Sequence, residues 1–245
     1  MKIYENIIIG NFLFGLGYRI GSKNTDLSFT SHINLLQQTP ADKLLGDLMA
    51  KLGNKVYLIE FKEAKNRSNK ELIRHKMLEN ILKNEQYYDL LSISKKIHWY
   101  IETSVTQDDL NNHTLVSRIG PYVEMNSLPE HQPNVFNKFI EYIASDVSNG
   151  SDDYTPEDAE RYLNIVRKTL GNDEKYGSGG LLLSINPKGE IHYVVMKDII
   201  DLSKDYKDWR NSLQQEWKEK ELEIKHQHII RYRREIERDE PSFER

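Results

Sequence analysis

Gly46-Asp47-Leu48-Met49-Ala50-Lys51-Leu52-Gly53-Asn54-Lys55-Val56-Tyr57-Leu58-Ile59-Glu60-Phe61-Lys62 is the stretch on which the fold turns. Two apolar runs, Leu44 to Leu52 and Lys55 to Lys62, flank Gly53-Asn54, a Gly-first pair suited to a tight hairpin turn. A symmetric hairpin about that pair sets Leu52 opposite Lys55 and Asp47 opposite Glu60. Directly opposed residues share a sheet face, with Cβ atoms about 4.5–5.5 Å apart. Lys62, two residues beyond Glu60, points to the same face. Leu48, Ala50, Leu52, Tyr57, Ile59 and Phe61 fall on the other. Met49, Val56 and Leu58 make the charged face apolar as well, so the hairpin is expected inside a sheet covered on both sides.

Outward from the hairpin, Ser68 and Glu71 have capping-box spacing, and Leu72, Ile73, Met77, Leu78, Ile81 and Leu82 predict a helical stripe behind them. Ile97 to Thr103 and Ser117 to Met125 read as strands. Pro133 to Ser145 reads as a helix, and Thr155-Pro156-Glu157-Asp158 starts another that Gly171 would stop. Leu181 to Ile185 and Ile191 to Met196 flank a turn at Asn186-Pro187-Lys188-Gly189. Lys207 to Arg238 predicts one long charged helix with Trp209, Leu213 and Trp217 on a stripe. At the N-terminus, Ile7 to Leu16 predicts a buried helix, and Gly21 to Ser31 a polar loop. The expected fold is α/β, a mixed central sheet flanked by helices, with residues 1–130 as the core. Residues 131–245 would be an appended α+β region packed on it.

Composition narrows the chemistry. The 245 residues include no cysteine, which removes disulfides, thiol nucleophiles and thiolate metal sites together. Metal ligands must then be carboxylates or imidazoles. A net charge of -4 argues against a generic polyanion binder, so nucleic acid would need a local basic surface. Ile7 to Leu16 is shorter than the roughly 20 residues of a membrane span and lacks a cleavage site, so a cytoplasmic protein without membrane attachment is expected. The histidines predict no second site: His226 and His228 are two apart on a presumed helix, and His98 and His192 sit in presumed strands.

Asp47 and Glu60 facing each other in an apolar sheet would repel, and a divalent cation resolves that conflict. Mg²⁺ takes one or two carboxylates together with waters and substrate phosphate. An Asp, a hairpin and then Glu-x-Lys in an apolar strand resembles the PD-(D/E)xK nuclease superfamily, with Asp47, Glu60 and Lys62 at the motif positions. The resemblance spans Leu44 to Glu102, including the helix over Asn69 to Asn84 and the strand with His98. It implies a restriction-endonuclease-like core in which Asp47 and Glu60 hold Mg²⁺ or Mn²⁺. Phe61 would add its backbone carbonyl, and Lys62 would orient the attacking water or stabilise charge on the phosphate. Gly46 stands where many members have Pro. Many also carry a Glu on the first helix, and Glu5 is the one glutamate that precedes Glu60.

A basic cluster follows the motif strand: Lys62, Lys65, Arg67, Lys70, Arg74 and Lys76 against Glu63 and Glu71. Lys65, Arg67, Lys70, Arg74 and Lys76 are therefore candidates for phosphate contacts, with Lys95, Lys96, Trp99 and Tyr100 extending the surface. The implied function is metal-dependent hydrolysis of nucleic acid, DNA favoured over RNA, in the manner of bacterial phage-defence components. The alternative is a non-catalytic assembly subunit on the same fold. It would act as a homo-oligomer or with a partner protein through the C-terminal helix, whose segment from Lys204 carries 11 basic and 11 acidic residues.

Overall fold

The computed structural model describes residues 4–23, 31–35, 47–66, 69–107, 111–150, 153–170, 180–185, 191–196 and 199–203. The long charged helix expected over 207–238, with His226 and His228, lies outside the described residues, as do Ser68, Arg67 and Gly171. The chain runs α1 (Glu5–Lys23), β1 (Ser31–Leu35), β2 (Leu48–Leu52), β3 (Lys55–Glu63), α2 (Lys70–Leu82), α3 (Leu90–Ile97), β4 (His98–Gln107) and β5 (His113–Pro121). It continues through β6 (Gln132–Pro133), α4 (Val135–Asn149), α5 (Pro156–Leu170), β7 (Gly180–Ile185) and β8 (Ile191–Met196).

All eight strands form one mixed sheet in the order β6-β5-β4-β3-β2-β1-β7-β8. β1 to β5 lie side by side in chain order, and β3 and β4 pair in parallel across the α2–α3 crossover. The expected hairpin is present: Leu52 pairs with Lys55, Met49 with Leu58 and Leu48 with Ile59. Gly53 takes φ 59°, which the first position of a type II′ turn requires. The 181–196 hairpin forms too, with Ile185 opposite Ile191. It joins the central sheet through β1, so strands from both sides of residue 130 share one sheet.

Alternation sorts the helices into two layers. On one face Leu48, Ala50, Leu52, Tyr57, Ile59, Phe61 and Ile101 pack against Phe12 and Leu16 of α1 and Phe136, Phe139, Ile140 and Ile143 of α4. Phe12 is its centre, edge-on to Phe61 at 5.5 Å and to Phe136 at 5.9 Å. The other face carries Met49, Leu58, Glu60, His98 and Tyr100 beneath α2, α3 and α5. The sheet is covered on both sides, as the apolar charged face required.

Four local readings need correction. α1 runs to Lys23, through the loop expected from Gly21, and β1 follows it. The strand read over 117–125 ends at Pro121, where Pro121 leads into a 3₁₀ turn over Tyr122–Ser127. α2 starts from Asn69, which makes no side-chain cap bond, one residue beyond the expected cap Ser68, which lies outside the described residues. Its inward residues are Glu71, His75, Leu78 and Leu82, while Leu72, Ile73 and Met77 are exposed. Among the described residues no helix is long and apolar enough to cross a membrane.

Candidate metal and phosphate site

Asp47 lies one residue ahead of β2, and the ladder ends with a local step. Leu48 pairs with Ile59, yet the Asp47 N–H also donates to the Ile59 carbonyl, at 3.1 Å. Two residues converging on one partner is the pattern of a bulge. The expected direct opposition of Asp47 and Glu60 is therefore displaced. The Asp47 carboxylate instead turns along β3 and accepts the Phe61 N–H, at 2.8 Å. It stands where a further β2 carbonyl would otherwise receive that donor.

The next N–H on the same strand edge repeats the device. Glu63 donates its backbone N–H to Glu5 Oε1, at 3.1 Å, and the Asn66 side-chain amide donates to the same oxygen. Glu5 thus reaches the end of the motif strand from the first helix. Because the N–H and C=O of one strand residue point to the same side, the Phe61 carbonyl lies on this edge between the two carboxylates.

Glu60 faces α2. Its carboxyl group is hydrogen-bonded to Glu71, and the Asp47 charge is close enough to act on it. Glu71 in turn accepts the Tyr122 hydroxyl and the Arg74 guanidinium, the latter at 3.1 Å. Asp47, Glu60 and Glu71 are all buried. Burial first, and then Asp47 and Glu71, push Glu60 well above the ordinary carboxylate range. Two carboxyl groups share a hydrogen bond only when a proton lies between them. Glu60 is thus pushed towards its neutral form.

Histidines and tyrosines back the acids. His75 Nε2 lies 3.0 Å from the Val123 carbonyl and so carries the ring proton, leaving Nδ1 to accept from Asn126, at 3.3 Å. His98 stacks on Tyr122 with centroids 4.1 Å apart, and its Nδ1 meets the Tyr162 hydroxyl at 2.9 Å. Burial, then His75, pushes the His98 pKa down to about 3. Both rings are packed and hydrogen-bonded, and His98 is held neutral by its burial.

Lys62 is half-buried at the C-terminal end of β3, and among the described residues its ammonium makes no hydrogen bond or ion pair. Its register partner Glu102 is occupied: Arg118 holds it with two bonds, at 3.0 and 2.8 Å, and Tyr100 donates to it at 2.7 Å. His131 Nε2 sits 3.1 Å away.

Among the described residues no three His, Asp or Glu side chains form a ligand cluster. The donor set on offer is two carboxylates, Asp47 and Glu60, with the Phe61 carbonyl. It consists only of hard oxygen atoms, the kind that Mg²⁺ and Mn²⁺ take, and a cation there would favour the ionised form of Glu60.

Of the phosphate candidates, Lys65, Lys70 and Lys76 are exposed. Arg74 is half-buried and ion-paired to Glu71. The proposed extension is engaged elsewhere: Lys95 pairs with Glu124, Lys96 donates to the Asp153 carbonyl, and Tyr100 is buried. Trp99 packs on Phe139 across the sheet, at 4.8 Å. Glu71 and Tyr122 are site residues that the sequence reading passed over. Glu71 and His75 share a helical face with Leu78 and Leu82, and that spacing is the signal that places them inward. No family model, no curated protein and no solved structure matches the chain.

Proposed function

We propose that this protein is a metal-dependent nuclease, hydrolysing phosphodiester bonds in nucleic acid, DNA in preference, on a PD-(D/E)xK-like core. The order of parts supports it: an acid, a hairpin, Glu-x-Lys, a helical crossover, and a strand parallel to the first. The observation that carries the reading is the Asp47 carboxylate on the Phe61 N–H, near enough to Glu60 to act on its charge, with a Lys62 amine two residues along that has no partner among the described residues. A role in cytoplasmic anti-phage defence belongs to the same proposal by analogy of fold.

Asp47, Glu60 and the Phe61 carbonyl would hold Mg²⁺ or Mn²⁺. When bound, such an ion lowers the pKa of its water and polarises a phosphoryl oxygen. Glu60 would have to release its proton to solvent to serve as a ligand. Arg74 and Tyr122 stay with Glu71, so that carboxylate is not left bare. Lys62 orients the attacking water or meets charge developing on the phosphate.

Cleavage of supercoiled plasmid by the full chain, with Mn²⁺, Mg²⁺ or EDTA, tests this directly. Metal-dependent cleavage should vanish in Glu60→Ala and Lys62→Ala while circular dichroism stays unchanged. Cleavage that persists in both variants removes the assignment. The Glu60–Glu71 hydrogen bond favours one competing reading, a polar core within a non-catalytic assembly subunit. Such a protein would show no Mn²⁺ binding by calorimetry and would lose its association on removal of residues 207–245.

A further inference from the structure

α1 has two apolar faces, and the fold uses one of them. Ile8, Ile9, Phe12, Leu16 and Ile20 form the buried arc that packs on the sheet and on α4. At about 100° per residue, the opposite arc carries Ile7, Phe14 and Tyr18 in one row, with Gly10, Gly17 and Gly21 in a second row beside it. Ile7 is 51% exposed, Phe14 78% and Tyr18 66%. The charged residues of the helix, Glu5, Arg19 and Lys23, all lie outside this arc. Arg19 and Lys23 are tied to Glu141 of α4, at 2.7 and 3.0 Å. Large apolar residues scattered singly need no explanation, whereas a charge-free row along one helix does.

The neighbouring row sharpens the point. A glycine inside a helix is destabilising relative to alanine, so three on one outer row need a reason. Gly15 has one within the fold, since a Cβ there would meet Ile140 Cδ1 at 3.1 Å. A Cβ on Gly10, Gly17 or Gly21 would meet nothing within 4 Å. A row of large side chains next to a bare row is complementary to itself. A two-fold axis running along α1 sets the large side chains of each copy against the glycines of the other, so that one patch is used twice. The absence of charge lets two copies of a chain with net charge -4 meet without opposing like charges. A lipid surface fits less well. Interfacial helices present Lys and Arg to anionic lipid and gain nothing from glycine, whereas Glu141 already holds those of α1. At about 200 Å² per ring, Phe14 and Tyr18 expose roughly 300 Å². That is about a third of the ~800 Å² each partner gives to a standard interface, before Ile7 and the glycine row are added.

We infer that the outer face of α1 is the seam of a symmetric homodimer, in which Ile7, Phe14 and Tyr18 of one protomer lie against Gly10, Gly17 and Gly21 of its partner. The inference goes beyond the nuclease reading and does not rest on it.

Sedimentation equilibrium of the full chain over about 1–100 µM tests it, the range that a seam of modest area calls for. The mass should rise to twice 28.8 kDa. Phe14→Glu should stay at 28.8 kDa throughout, with an unchanged circular dichroism spectrum because that side chain is already in solvent. Gly17→Leu is the sharper variant. It fills open space and so leaves the protomer folded, yet it should raise the dissociation constant by about tenfold or more by holding the two helices apart. Ile73→Glu, which alters an exposed apolar residue of α2, should dimerise as wild type does. Wild type that stays monomeric, or a dimer unchanged by Phe14→Glu or by Gly17→Leu, overturns the inference. Equal dissociation by Ile73→Glu overturns it as well. So does a monomer that sediments with phosphatidylcholine–phosphatidylglycerol vesicles and is released from them by Phe14→Glu, since the face would then be a lipid anchor.

Discussion

Phe61 gives its backbone N–H to a carboxylate, and the consequences of that exchange are specific to one side chain. Asp47→Ala leaves a buried donor without its partner and should cost about 1–3 kcal/mol in urea unfolding. Asp47→Asn keeps an oxygen in place and also removes a charge acting on Glu60, so its cost should be smaller. Equal destabilisation by the two would show that the Phe61 bond is not what Asp47 contributes. Both variants should lose Mn²⁺ affinity in calorimetry, because the charge serves the cation and the bond serves the fold. Tyr122→Phe tests the other end of the cluster. It withdraws a hydroxyl from the buried Glu71 and should destabilise by about 1–3 kcal/mol. A protein of unchanged stability would mean that Arg74 and Glu60 already satisfy that carboxylate.

Elements differ in how openly they are written in the chain. α5 is legible because its start is local chemistry: the Asp158 N–H donates to Thr155 Oγ1 at 3.2 Å, and the Thr155 N–H to the Asp158 carboxylate at 3.1 Å. Thr155→Ala should therefore cost about 1 kcal/mol in thermal or urea unfolding, and a loss below a few tenths would deny the cap any role. The β2–β3 hairpin is equally legible, since Gly53 can take positive φ between two apolar runs of strand length. α2 is not. Leu72, Ile73 and Met77 have the composition of an inward stripe, but Glu60 on the sheet below needs polar company, and tertiary demand turns Glu71 and His75 inward instead. Asp47 was legible as a strand-start acid, while its step out of register was not, because a bulge follows from where β2 stops and not from alternation. Glu5 could be named from the sequence, but its contact with the Glu63 N–H spans 58 positions along the chain, beyond any local pattern.

Across the whole molecule, two buried groups on the polar face of the sheet set opposite limits on the pH range of stability. His98 stays neutral down to about 3, whereas the unfolded chain takes up that proton below about 6.5. Its contribution is therefore lost as pH falls from 6.5 towards 3. Glu60 keeps a proton well above 4.5, whereas the unfolded chain releases it near that value. Its contribution is lost as pH rises above 4.5 until the folded group itself ionises. Each imbalance amounts to at most about 1.4 kcal/mol per pH unit. Between about 4.5 and 6.5 the two slopes have opposite sign and offset each other, which gives a plateau. Glu102 steepens the acid limb: burial opposes its charge, but the Arg118 and Tyr100 hydrogen bonds outweigh that and hold it below the ordinary carboxylate range. Urea midpoints measured in EDTA should thus fall on both sides of the plateau. Glu60→Gln should abolish the alkaline fall, because it cannot ionise. Millimolar Mn²⁺ should abolish it in the wild type too, since the cation favours the ionised ligand that the fold alone disfavours. Wild-type and Glu60→Gln midpoints that keep rising together to about pH 8 would show that Glu60 is charged in the fold. The three carboxylates would then need a different neutralising partner.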